Sequence, residues 1–195
     1  MNLYLIRHGL SQHNTLFNKY GVDIFYNPYY LDTKLVPEGH KQSKILRNSN
    51  TLKDINLVLT SSLSRCLQTT YNIFDDKEIP IIALDILKEF PQGLQTCNRR
   101  SDIDILEPLY PKIDFSNITH NEDINWNENR EETIDELNER IDSLKLFLKN
   151  RCEKNVAIVG HSSFFGQLKE NKISYIENGE KELEHCFPYK MKINK

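Results

Sequence analysis

The chain has 195 residues and a formal net charge of −3. That length suits a single domain, residues 1–195, with a core that needs no staples. The charge argues against a nucleic-acid or anionic-membrane surface but leaves room for a local basic pocket.

Cys66, Cys97, Cys152 and Cys186 are scattered, with no C-x-x-C pair. That argues against a zinc knot and for reduced thiols in a cytoplasmic protein. The apolar run at the amino end is too short for a signal peptide, and no stretch reads as a membrane span.

In chain order, Leu3-Tyr4-Leu5-Ile6 is short enough for a buried strand and ends abruptly in Arg7-His8-Gly9. A helix follows over residues 11–18 with Ser11 as its cap. Residues 20–36 are aromatic and Asn-rich without a clear period and read as a loop. Pro37 opens a polar helix toward Arg47. Residues 56–60 form a second buried strand. Ser61-Ser62 then caps a helix running to Phe74, with Leu63, Leu67 and Ile73/Phe74 on one face. Residues 79–83 are a third apolar run. Residues 84–126 lack periodicity and carry Pro91, Pro108 and Pro111, which suggests an insertion of loops and short helices. Ile134, Leu137, Ile141, Leu144 and Leu148 recur at helical spacing, and Asn129 with Glu132 resembles a capping box. Residues 155–160 are a fourth strand ending in Gly160-His161-Ser162, followed by a short helix. Residues 187–193 alternate like an edge strand. Strands separated by helices argue for an α/β layered sheet.

Three strand ends carry polar groups: Arg7-His8, Thr60-Ser61-Ser62 and His161-Ser162. In a parallel sheet such ends share one edge and can converge on a ligand. Arg65 falls in the first turn of a helix, where the macrodipole disfavours a cation. An anion held by free helix N–H groups and Arg65 resolves the conflict, although a surface Arg bonded to a carboxylate fits equally well taken alone. Two arginines, two histidines and a helix amino end together suit a phosphoryl group. Phosphoryl transfer also needs an acid, and Glu89 is a candidate, though taken alone it reads as one surface carboxylate among many.

The order and spacing of these motifs resemble the histidine phosphatase superfamily, also called the phosphoglycerate mutase-like family. The motifs are Arg7-His8-Gly9 with Ser11 and Asn14, residues 61–69, a Glu, and Gly160-His161-Ser162. The resemblance covers residues 3 to about 165. It implies a three-layer α/β/α sandwich with a mostly parallel central sheet and a small cap inserted over residues 84–128. It also implies that His8 is phosphorylated, that Arg7, Arg65 and His161 clamp the phosphoryl group, and that Asn14 is a further ligand. Glu89 is the best match to the proton donor. Gly9, Ser11 and Ser162 belong to the same substrate-binding set. The family holds its nucleophilic ring through a bond to backbone carbonyl, and it needs no metal or cofactor because cationic side chains neutralise the charge.

A narrower likeness, to the mutase-like branch of plants and fungi, rests on Cys97-Asn98-Arg99-Arg100-Ser101, residues 110–115, Trp126 and Arg130-Glu131. It places Arg99 and Arg100 either in the pocket, reading a second anionic group, or as ties for the insertion through acidic partners. Leu10 stands where a polar residue is common in the family, and the stretch between Phe165 and His185 is short. The Asn-Glu-Arg-His-Tyr-like motif of dedicated mutases is absent after Glu89. The expected activity is therefore hydrolysis of a small phosphorylated metabolite. Mutase-type transfer and non-catalytic binding of a phospho-ligand are the alternatives.

Overall fold

The computed structural model describes residues 1–170 and 183–193. Five strands form one sheet: β1 (Asn2–Arg7), β2 (Leu57–Ser61), β3 (Ile81–Leu84), β4 (Asn155–Gly160) and β5 (Pro188–Lys192). Their spatial order is β3-β2-β4-β1-β5. All neighbours run parallel except β5, which pairs antiparallel with β1 at the edge. The expected mostly parallel α/β sheet is borne out.

Strand alternation sets the layers. Leu3, Leu5, Leu57, Leu59, Val156 and Ile158 face one side. There they pack on Leu137, Ile141, Leu144 and Leu148 of helix α6 (Ile134–Lys149) and on Phe164, Phe165 and Leu168 of α7 (Ser162–Glu170). Ile6, Val58, Ala157 and Val159 face the other side. They meet Leu46 of α3 (Pro37–Asn48) and Cys66, Leu67, Ile73 and Phe74 of α4 (Ser64–Phe74).

Three local readings are corrected. Residues 20–36 are not all loop, since α2 (Asp23–Tyr26) and a 3-10 turn (Pro28–Tyr30) lie within them. The capping box of α6 is Thr133 with Glu136, one turn later than Asn129 with Glu132. The carboxylate of Glu132 is instead engaged by Arg140, and Asn129 closes a turn on Asn127. Helix α4 begins at Ser64 rather than at the serine pair, because Ser62 Oγ donates to Asp85. The expected trimming between Phe165 and His185 falls largely on residues 171–182, outside the described residues.

The segment after β3 is tied down by buried charge. Lys88 and Asp123 pair at 2.5 Å with both side chains fully buried. Arg100 meets Asp85 at 3.1 Å and donates to the carbonyls of Ser101, His120, Asn121 and Glu122. A buried guanidinium needs this many acceptors to offset its lost hydration. A short helix, α5 (Ile103–Leu106), also lies here.

Candidate phosphoryl-transfer site

Sheet register brings the two histidines together. Arg7 pairs with Gly160 across β1 and β4, so His8 and His161 leave adjacent strands at the same level. Their ring centroids are 5.2 Å apart. On the other side of β4, Ser61 at the end of β2 places its Oγ 2.9 Å from His161 Nε2.

The His8 ring is held from both directions. Its Nδ1 lies 2.8 Å from the Gly9 carbonyl, which can only accept. Nδ1 therefore carries the proton, and Nε2 keeps the lone pair. The Gly9 N–H donates to Thr69 Oγ1 on α4, and Thr69 Oγ1 donates to the Arg65 carbonyl. Gly9 also runs against α3: a Cβ here would meet the Gly39 carbonyl oxygen at 2.5 Å. Gly9 thus fixes the His8 ring, and its N–H is spent on Thr69 rather than offered to a ligand.

Arg65 is fully buried. Its Nη1 donates to the Cys97 carbonyl at 2.7 Å and its Nη2 to Asn98 Oδ1 at 2.9 Å. Nη2 also lies 3.3 Å from His161 Nδ1. Among the described residues no carboxylate pairs with Arg65, and its Nε has no partner. A buried guanidinium with a spare donor and no counter-charge suits a ligand that carries negative charge. The helix amino end does not supply the cradle expected for it. Asp32 occupies that end, accepting from Ser64 N at 2.7 Å and from Ser64 Oγ and Ser101 N. A carboxylate is favoured at the positive end of a helix, and Arg65 itself reaches Cys97, Asn98 and His161.

Glu89 comes to the same place from the segment after β3. Its carboxylate accepts from its neighbour Phe90 N and from Ser163 N and Phe164 N in the first turn of α7, directly after His161. Burial raises its pKa above the usual carboxylate range, although Phe90 N–H, Arg65, Phe164 N–H and Arg7 pull the other way. The His8 imidazole is held well below its ordinary value, first by burial and then by Arg65, His161, His185 and Arg7. His161 is lowered as well, by burial and then Arg65. The site thus holds a His8 ring kept neutral and a carboxyl group that retains its proton more readily than usual.

Arg7, His8, Arg65, Glu89 and His161 are therefore gathered. Arg7 is buried at the end of β1, with Nη1 on the Leu183 carbonyl at 2.7 Å. Asn14 is half-buried at the start of α1 (Gln12–Tyr20), where its Oδ1 accepts from Ser11 Oγ at 2.6 Å. Ser11 holds the N-cap position but makes no cap bond. Ser162 Oγ accepts from Leu183 N. Arg100 is consumed by the ties described above. Arg99 is exposed and stacks 5.1 Å over Trp126, in a groove of about 770 Å³ that no histidine lines.

The sequence reading missed four supports: Thr69, Asn98, Asp32 and His185. His185 Nδ1 lies 2.6 Å from the His8 carbonyl. None of the four has a local signal, since each acts on a residue at least 32 positions away: Thr69 on Gly9, Asn98 on Arg65, Asp32 on Ser64 and His185 on His8.

Residues 3–170 match the sequence profile of the histidine phosphatase superfamily (branch 1). The chain belongs to that family. It is 31% identical over 194 residues to phosphoglycerate mutase-like protein 1 of Arabidopsis thaliana, covering 83% of this chain and 68% of that protein. It is 27% identical over 163 residues to a fungal protein named probable phosphoglycerate mutase, from Arthroderma benhamiae, covering 73% of this chain and 49% of that one. The likeness to plant and fungal members is thus borne out. Its fold matches the alpha-ribazole phosphatase of Shigella flexneri with a TM-score of 0.68 at 20% identity, over 100% of this chain and 92% of that one.

Proposed function

We propose that the chain hydrolyses the phosphoric monoester of a small metabolite through a phosphohistidine on His8. The observation that carries the reading is the fixed His8 ring, with Nδ1 on the Gly9 carbonyl, beside the buried and carboxylate-free Arg65. In the first step the Nε2–P bond forms and the ester P–O bond breaks, the leaving oxygen taking a proton from Glu89. In the second, water attacks phosphorus, Glu89 accepts its proton, and the Nε2–P bond breaks to release inorganic phosphate. Arg7, Arg65 and His161 neutralise the charge on the phosphoryl oxygens, and no metal enters either step. Asn14 is assigned to the same group as a further ligand.

Phosphate release from p-nitrophenyl phosphate and a panel of phosphorylated metabolites, with a chelator present, tests this. His8→Ala is expected to lose at least about 10³-fold in kcat. Release that persists in His8→Ala refutes the reading. Phosphoglycerate mutase-type transfer is the second reading, favoured by the name of the Arabidopsis relative. It predicts an isomerised phosphoester with little free phosphate.

A further inference from the structure

We propose that His185 is a positioning residue for the nucleophile, acting through its Nδ1–H bond to the His8 carbonyl and through packing of its ring on the His8 ring. This rests on the reading of His8 as nucleophile. The carbonyl of His8 can only accept, so the 2.6 Å contact fixes a proton on His185 Nδ1. The two ring centroids are 5.5 Å apart at 54°, within the range of a packed aromatic pair. The backbone is also joined: Arg7 bridges to His185, and Cys186 N donates to the Arg7 carbonyl at 2.9 Å.

His8 therefore has three independent restraints. Its own Nδ1–H grips the following carbonyl. Its amide N–H donates to the Gly160 carbonyl at 3.0 Å. Its own carbonyl, which lies beyond the β1–β4 ladder, is gripped by the His185 side chain. Removing the last leaves the peptide between His8 and Gly9 held only by the Gly9 N–H on Thr69, free to tilt about that bond, and the next carbonyl, of Gly9, which sets the His8 tautomer, shifts with it. The expected failure is a ring with its lone pair misdirected, which slows attack without weakening phosphate binding.

The test labels the full chain with phosphoramidate and follows the acid-labile phosphoryl group on His8, with His8→Ala as the blank. In labelling, the Nε2–P bond forms and the P–N bond of phosphoramidate breaks, releasing ammonia, so no ester substrate is assumed. His185→Ala is expected to label His8 about tenfold more slowly, roughly the effect of one hydrogen bond. In turnover of p-nitrophenyl phosphate the same variant is expected to lose kcat at nearly unchanged KM. His185→Asn keeps a short N–H donor and is expected to recover most of the rate, whereas His185→Phe keeps only the ring and recovers less. Wild-type labelling by His185→Ala overturns the inference and leaves the phosphatase reading standing. A slow rate that Asn does not restore, with an equal fall in Tm for both variants, also overturns it in favour of a purely structural role. Wild-type labelling that is no greater than in His8→Ala removes the nucleophile itself, and both readings fall.

Discussion

Arg65 Nη2 stands 3.3 Å from His161 Nδ1, so a permanent cation faces an imidazole nitrogen inside the protein. Arg65 always donates, so Nδ1 accepts and the Nε2–H of His161 points to Ser61 Oγ. On the proposed function, a phosphoryl dianion would reverse the balance, pairing with Arg65 and favouring a second proton on His161. Among the described residues no carboxylate pairs with Arg65 and its Nε has no partner, and that shapes the first prediction.

Arg65→Met is expected to abolish phosphate release, by at least about 10²-fold in kcat/KM, while leaving Tm unchanged or higher. Replacing an uncompensated buried charge with an apolar side chain of similar length is often neutral or stabilising. Thermal scanning beside the activity assay checks both halves. A large fall in Tm means that Arg65 holds Cys97 and Asn98 for the fold rather than for a ligand.

Glu89→Gln is expected to slow the first step, read as the burst of released alcohol or nitrophenol, by about 10²–10³-fold for esters of alcohols and much less for p-nitrophenyl phosphate, because nitrophenolate leaves without a proton. The carboxyl group acts as an acid only while protonated. Activity on alcohol esters is therefore lost as pH rises through its raised pKa. The alkaline limb disappears in Glu89→Gln. Equal losses in that first step on both classes of ester refute the assignment.

Stability is expected to fall on acidification. His8, His13 and His161 are all held well below their ordinary value of 6.5, chiefly by burial. Below pH 6.5 the unfolded chain takes up protons on these rings that the folded chain refuses. The stability they confer is complete above 6.5 and is lost as pH drops from there toward the folded values. Each contributes a slope of up to about 1.4 kcal/mol per pH unit in that window. Tm measured from pH 7.5 to 5 checks this, with inorganic phosphate expected to flatten the slope. A Tm that is flat across the window contradicts it.

Gly39→Ala is expected to reduce both activity and stability, by about 2 kcal/mol or more. A Cβ there would meet the Leu10 carbonyl oxygen at 2.2 Å and push the loop that carries Gly9. Denaturant titration gives the stability term, and the His8 labelling rate gives the positional one.

The chemistry was legible where it follows from strand ends. Arg7-His8 and Gly160-His161 announce themselves as polar residues closing apolar runs, and parallel pairing then does the rest. Glu89 was legible only as the acid after the third run; its anchorage on Ser163 and Phe164 depends on where α7 docks. Arg65 was found through its conflict with the helix dipole, but the resolution differed, because Asp32 reaches the helix end from a distant turn. The two tandem arginines could not be separated by sequence. Arg100 points to Asp85 and four carbonyls, and Arg99 points to Trp126. A choice between adjacent side chains belongs to the backbone of an irregular segment, which has no period to read. The α6 capping box slipped by one turn because Asn129–Glu132 and Thr133–Glu136 both offer the i, i+3 pattern, and Arg140 decides between them.

Among the described residues β1 pairs with β4 and β5, residues 155–160 and 188–192. During synthesis the segment that carries His8 is therefore made well before either strand it pairs with. Until more than 150 further residues have been made, Leu3-Tyr4-Leu5-Ile6 is an apolar strand with both edges bare. Such long-range pairing slows folding, and a bare edge invites association with other chains. Bulk refolding of this protein is thus expected to be slow and sensitive to concentration, with β1 the segment most exposed to mispairing.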